Sequence, residues 1–268
     1  ALSRNGRELY AIGTVPSNDT VFAVADVDGP NLTWRPVTII CDVELVTLVN
    51  MPGRRRDLLA AGLGRGLYVI DVATVQPNIQ PSVAFPAVGH LLVDDTTQRA
   101  YATSAAAGAA GNRYAQVVEV ALNDMTVSFT YPLIFQEVGF TGEDDIAIVP
   151  EREGRQIKLY VVAESVQGGG RGLLVFRDQQ PAHQFISLPN STTRLGYVPD
   201  SRFLMASAED FFLVGLVDVL EDVVVQRYAL PVQIAPIYIA VAPRTEQVYV
   251  VNALSPTITR IAAKYMRP

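Results

Sequence analysis

Six copies of one β-rich unit recur at intervals of about 42 to 59 residues, with turn-forming residues between the runs and no long helical periodicity. Units of that length holding four short strands close radially. The predicted fold is therefore an all-β β-propeller of about six four-stranded antiparallel blades. Each copy has a polar turn, a run with an aromatic residue or leucine as its anchor, a small loop and a second β-rich run. The anchors are Tyr10, Leu59, Tyr101, Tyr160, Leu204 and Tyr249.

The first unit is GRELYAIG followed by TVFAVADVD. In the second, RRDLLAAG leads to GLYVIDVA and then to a further strand-like run, PSVAFPAV. GHLLVDDTTQ precedes the third anchor, with AQVVEVAL and TVSFTYPLIF after it, and the alanine-rich stretch Ala105 to Ala110 reads as a hairpin tip because of Gly108, Gly111 and Asn112. DDIAIVPEREGRQ introduces the fourth unit, IKLYVVAE and GLLVFRDQ, after the longest interval, which insertions explain. LGYVPD introduces SRFLMASA and FFLVGLVDV, and YIAVAPRTEQ introduces EQVYVVNA and TITRIAAKY.

The last unit resembles the repeat of YVTN-type β-propellers, in which a Tyr-Val-x-Asn strand is followed by a Ser/Thr/Pro hairpin and a return strand. Tyr249, Val250 and Asn252 match that pattern, with Val251 where threonine is usual. The family resemblance implies a propeller fold shared with surface-layer proteins and lactonase-like propellers. It implies an extracellular, cell-surface or periplasmic setting, although a cytoplasmic one is not excluded.

From Tyr10 to Tyr249 the five intervals average about 48 residues, while only nine residues precede the first anchor and nineteen follow the last. A sixth interval would be short by roughly 20 residues, or about two strands. The 268 residues are thus expected to form one propeller domain that has an incomplete blade or belongs to a longer chain. Additional strands or a protein partner would cover the open edges.

A net charge of −6 argues against a general nucleic-acid binder, and no apolar run is long enough for a membrane helix. Cys41 is the single cysteine and follows the apolar run VTII, so it is expected as a buried small hydrophobe, with no internal disulfide. The arginine-heavy basic set favours a bacterial source. Asn18, Asn31 and Asn190 begin Asn-x-Ser/Thr triplets, which mark glycosylation acceptors in secreted eukaryotic proteins and also arise in polar turns.

Innermost propeller strands converge on a channel. The residues expected at its mouth are Asp42, Glu44, His90, Glu143, Asp144, Asp145, Arg194, Gln233 and Tyr238. Glu44, Glu143, Asp144 and Asp145 are oxygen ligands suited to calcium, and His90 could serve as a general base beside Glu44, Glu143 and Asp144. Solvation, or pairing across blades, accounts for the same charges. The calcium-dependent hydrolases of this class need asparagine ligands, and none is placed for that role. DVDGPN, Asp26 to Asn31, reads as a hairpin rather than a calcium loop, because its glycine comes too early. GLGRG and GGGRG read as tight hairpins with positive-φ glycines, leaving Arg65 and Arg171 exposed, and Arg54 to Arg56 read as a solvated basic turn. No nucleophile elbow is present. The leading expectation is a non-catalytic binding or scaffolding module with a protein partner and no cofactor. A lactonase-like or other metal-dependent hydrolase is the alternative.

Overall fold

The computed structural model of the chain describes residues 1–3, 5–53, 57–63, 65–75, 81–86, 88–104, 113–114, 116–132, 138–141, 145–150, 157–165, 170–188, 192–198, 201–208, 213–228, 235–242, 247–255 and 257–262. All the regular elements among them are strands. Two compact units divide the chain, Ala1–Thr130 and Tyr131–Pro268.

In the first unit, sheet one holds β1 (Glu8–Thr14), β2 (Thr20–Asp28), β3 (Asn31–Trp34) and β4 (Thr38–Ile40), with β3 and β4 both paired to β2. Sheet two is β5 (Leu45–Asn50), β6 (Asp57–Gly62) and β7 (Gly66–Asp71). Sheet three contains β8 (Val88–Asp94) and β9 (Arg99–Ser104). The short β10 (Arg113–Tyr114) comes next in the chain, and sheet three continues with β11 (Gln116–Ala121) and β12 (Thr126–Pro132).

The second unit begins with the strands of sheet four, β13 (Val138–Thr141), β14 (Ile146–Pro150), β15 (Ile157–Ser165), β16 (Arg171–Arg177) and β17 (Gln184–Ser187). β13 and β14 each pair with part of β15, so the strand before the fourth anchor comes in two pieces. Sheet five is β18 (Thr192–Tyr197), β19 (Phe203–Ala208), β20 (Leu213–Asp218) and β21 (Val223–Tyr228), paired in chain order. Sheet six is β22 (Pro236–Ala242), β23 (Gln247–Asn252) and β24 (Ile258–Ala262).

Five of the six anchors fall on a strand paired on both sides: Leu59 on β6, Tyr101 on β9, Tyr160 on β15, Leu204 on β19 and Tyr249 on β23. Tyr10 lies on β1, and the residues before it take the same place. Leu2 bridges Leu9, and the backbone groups of Ala1 and Tyr10 exchange hydrogen bonds.

Alternation along these strands explains their nearly continuous apolar character. Leu58 and Ala60 enter a core with Tyr10, Phe22, Val24 and Ile40 of sheet one. The intervening Leu59 and Ala61 enter a second core with Leu91, Ala100, Val118 and Val120 of sheet three. In the second unit, Leu204 and Ala206 face Tyr160, Leu173 and Val175 of sheet four, whereas Met205 faces Ile239, Val248 and Val250 of sheet six. A strand sandwiched on both faces needs apolar residues at odd and even positions alike. Each fully buried large side chain there contributes about 1.5–3 kcal/mol.

Several local expectations change. In PSVAFPAV, Pro81 to Pro86 form only an isolated bridge, Leu67 to Val83, because Pro81 and Pro86 have no N–H to give a ladder, and Val88 belongs to β8. Cys41 is half-buried in a turn rather than enclosed. Arg171 is half-buried and donates from Nη1 to the Thr192 carbonyl at 2.8 Å. Of the described glycines in the two clusters, only Gly66 has a positive φ, +114°. Gly172 instead makes room, since a Cβ there would lie 2.4 Å from the Ile186 carbonyl oxygen. DVDGPN is the expected hairpin, with Gly29 at φ +59° between β2 and β3. Arg54 to Arg56, Ala105 to Ala110 and Asn190 lie outside the described residues.

Candidate functional site

Among the described channel-mouth candidates, His90, Asp145 and Tyr238 take one position of the repeat. Asp145 lies opposite Val162, its carbonyl accepting the Val162 N–H at 3.0 Å, and Tyr238 lies opposite Val251. Both partners are two residues beyond their anchors. Arg194 is opposite Ser207, one position further. In the first unit the His90 N–H donates to Thr103 Oγ1 at 2.8 Å, again two residues past an anchor. Glu44 and Asp42 precede β5, and the Glu44 carbonyl accepts the Leu63 N–H at 2.8 Å. Glu143, Asp144 and Gln233 lie outside the described residues.

Several polar groups in these regions bind backbone. Asp145 accepts the N–H of Ile146 at 2.9 Å and of Leu195 at 3.0 Å, tying β14 to β18 beside Arg194. Thr20 Oγ1 donates to the Val43 carbonyl at 2.7 Å and accepts the Leu45 N–H at 2.8 Å, tying sheet one to sheet two. Asn252 Nδ2 donates to the Thr257 carbonyl at 3.2 Å, bracing the final hairpin. Asp42 is exposed at φ +58°, its N–H donating to Asp19 Oδ1, and Tyr238 is exposed. Among the described residues no three His, Cys, Asp or Glu side chains stand close enough to share a metal ion.

The position two residues before each anchor carries a second set of polar contacts. Glu8 is directly opposite Asp26 across β1 and β2, an unfavourable like-charge pair. Arg35 answers both: Nη2 donates to Glu8 Oε1 at 2.7 Å, and its Nε and Nη2 both donate to Asp26. Tyr10 Oη donates to Glu8 Oε2 at 2.8 Å. The Tyr10 hydroxyl, and after it Arg35, hold the Glu8 carboxyl below its ordinary value against an opposing contribution from burial. This contribution to stability is full above about pH 4.5 and fades as pH falls through the lowered value. Glu8→Gln should therefore lower the melting temperature near neutrality by a small amount that shrinks progressively as pH falls below about 4.5. A gap that is constant across that range in thermal melts would contradict the assignment.

At the equivalent position of sheet four stands Lys158, only 5% exposed. Its Nζ donates to both Asp222 oxygens, at 2.9 and 3.0 Å, and to the Val219 carbonyl at 2.7 Å. Tyr160 also donates to Asp222, with Arg177 at 3.5 Å and His183 at 3.6 Å. Burial first, then the bond to Asp222 and its charge, raise the Tyr160 pKa. Asp222 ends a four-residue hairpin loop at φ 55°, a conformation Asp tolerates, and Met125 ends the matching loop of sheet three at the same φ. Sequence reading missed this cluster. The available signal was Lys158 itself, a lysine within an otherwise apolar anchor run.

Apolar side chains gather at the outer edge of sheet one. Leu32, Trp34, Val37 and Ile39 are each about half exposed. Trp34 pairs with Ala25, Leu32 with Val27 and Ile39 with Val21, so the three share one face. Phe22, Val24 and Ile40 occupy the opposite face, against sheet two.

No family model and no curated protein matches the sequence. Solved structures do match. A hydrazine synthase of Kuenenia stuttgartiensis is 13% identical, with a TM-score of 0.67 over 97% of this chain and 82% of that one. Six antiparallel sheets repeated in this likeness decide the fold. The chain is a β-propeller. A candidate 6-phosphogluconolactonase from Bacteroides uniformis matches this propeller at 13% identity and a TM-score of 0.60, covering 97% of this chain and 79% of that one. The dihydro-haem d1 dehydrogenase NirN, solved in complex with DHE, is 10% identical with a TM-score of 0.65. The propeller is covered over 99% of its length and spans 55% of the NirN chain. At these identities the likeness is one of fold, on which many activities are built.

Proposed function

We propose that this propeller is a non-catalytic binding or scaffolding module that engages a protein partner through the outer edge of sheet one, within a larger assembly or at the cell surface. The observation that carries this reading is the exposed run of Leu32, Trp34, Val37 and Ile39 on β3, β4 and the link between them. A large apolar face in one place, centred on tryptophan, is the composition of an interface core rather than of scattered surface residues. Asp145, among the predicted site residues, is committed to a backbone tie between two sheets, which favours a structural use of the inner polar groups.

A photo-crosslinking side chain at position 37 tests the proposal in extracts of the source cells. One adduct of defined mass, lost in Trp34→Ala and absent when the probe sits at Thr126, supports it. Equal labelling from both positions contradicts it.

The rival reading, a lactonase-like or other metal-dependent hydrolase using Glu44, His90, Glu143 and Asp144, with Asp145 as a further calcium ligand, draws on the fold likeness to the Bacteroides protein. A metal that binds only the folded state at about 100 times its Kd would add roughly 2.7 kcal/mol of stability. A large rise in melting temperature with calcium, together with lactone hydrolysis, would establish that rival. The binding reading expects neither.

A further inference from the structure

The outer face of sheet one is apolar across β1 and β2 as well as at its exposed edge. Alternation sets Leu9, Ala25 and Trp34 in one cross-strand row, Ala11 beside Ala23 in the next, and Gly13, Val21 and Ile39 in a third. The same alternation turns Glu8 and Asp26 to the reverse face with Tyr10 and Phe22, where Arg35 binds both carboxylates. Charges of opposite sign flank the three rows. At one end stands Arg7, exposed and two residues before Leu9, its carbonyl accepting the Val27 N–H at 2.8 Å. At the other stands Asp19, in the turn from β1 to β2.

This pattern is complementary to itself. Half a turn about the Ala11–Ala23 row lays the first row of one copy on the third row of another, so that Leu9 meets the partner's Gly13, Ala25 the partner's Val21 and Trp34 the partner's Ile39. A Cβ built on Gly13 meets nothing within 4 Å, so there is open space for the leucine. The same half turn brings the Arg7 end of each copy over the Asp19 end of the other, which favours this alignment over the one that matches like ends. An unrelated sheet would need its own matching sizes and charges, whereas a second copy carries them already. We infer that the outer face of sheet one is the interface of a two-fold homodimer, packed sheet on sheet with the two β2 strands antiparallel. The inference rests on the proposed protein-binding role and names the partner as a second copy of this chain.

Sedimentation velocity of the intact chain from about 1 to about 100 μM is the test. The parent should form a reversible dimer, and Gly13→Trp, which fills the space left for Leu9, should be monomeric over that range. Ala11→Arg, which sets a charge on the symmetry axis, takes its place should circular dichroism show Gly13→Trp unfolded. Arg7→Glu should weaken the dimer about tenfold at low salt, because both symmetry-related end contacts become like-charged. Adding Asp19→Arg should restore most of that loss. A parent that stays monomeric, a dimer unchanged in a folded Gly13→Trp or Ala11→Arg, or a double charge variant no tighter than Arg7→Glu would overturn the homodimer. The wider reading fails separately: a monomeric parent whose position 37 crosslinks a different protein removes only the self-association, and a parent with no adduct at all removes both.

Discussion

Asp222→Ala should lower the free energy of unfolding by about 3–5 kcal/mol. The variant deletes the acceptor for Lys158 Nζ and for Tyr160 Oη at once. Lys158 cannot escape to water without disturbing the contact between sheets four and five, so its charge stays buried with only the Val219 carbonyl to hold it. Arg177 and His183 also lose the carboxylate they flank. Alanine adds a smaller penalty at φ 55°. Asp222→Asn separates the two effects, because asparagine keeps the shape and tolerates that backbone while removing the charge, and it should cost about 1–3 kcal/mol. Pairing it with Lys158→Met should recover part of the loss, giving a coupling of about 0.5–3 kcal/mol. Urea denaturation of five proteins, the parent, Asp222→Ala, Asp222→Asn, Lys158→Met and the Asp222→Asn/Lys158→Met pair, measures all of this. An Asp222→Ala variant within about 0.5 kcal/mol of the parent, the range of ordinary surface changes, would mean the cluster ties nothing together.

Gly66→Ala is expected to cost about 4 kcal/mol, the sum of two penalties. Its φ of +114° is a region that side chains with a Cβ avoid, costing about 1–3 kcal/mol. The new Cβ would also sit 2.0 Å from the Val83 carbonyl oxygen, which already accepts the Leu67 N–H, and overpacking against backbone adds about 1–3 kcal/mol. Two other glycines calibrate the claim. Gly172→Ala meets the Ile186 carbonyl oxygen at 2.4 Å without the φ penalty, and Gly29→Ala at φ +59° meets open space. The order of loss in thermal or urea melts should be Gly66 first, Gly172 next and Gly29 least. Gly29→Ala proving the most damaging would show that backbone conformation alone, not the approach of a neighbouring strand, governs these sites.

The anchors were legible because they depend on local chemistry. β-branched and aromatic runs between Gly, Asn, Asp and Pro define strands and turns within a few residues, and that is enough to place β1, β6, β9, β15, β19 and β23. Proline content should have lowered the expectation for PSVAFPAV, whose two prolines leave it one bridge to Leu67. Legibility stopped where partners are distant in sequence. Nothing near Lys158 announces Asp222, which is 64 positions away, and the two meet only because sheets four and five stack. Asp145 looked like a ligand because carboxylates at strand ends often are, whereas the amide it serves, Leu195, lies 50 positions on. Trp34 escaped notice for a different reason: a period of two tells which residues share a face but not whether a neighbour covers that face.

Trp34 is the chain's single tryptophan, so its fluorescence reports on the proposed interface without labelling. Half exposed in the free protein, it should emit at long wavelength and be open to quenching by acrylamide. Titration with the crosslinked partner should shift the emission to shorter wavelength and protect it from the quencher, in proportion to complex formed. Saturable binding of that partner with unchanged emission and unchanged quenching would place the interface elsewhere and contradict the account.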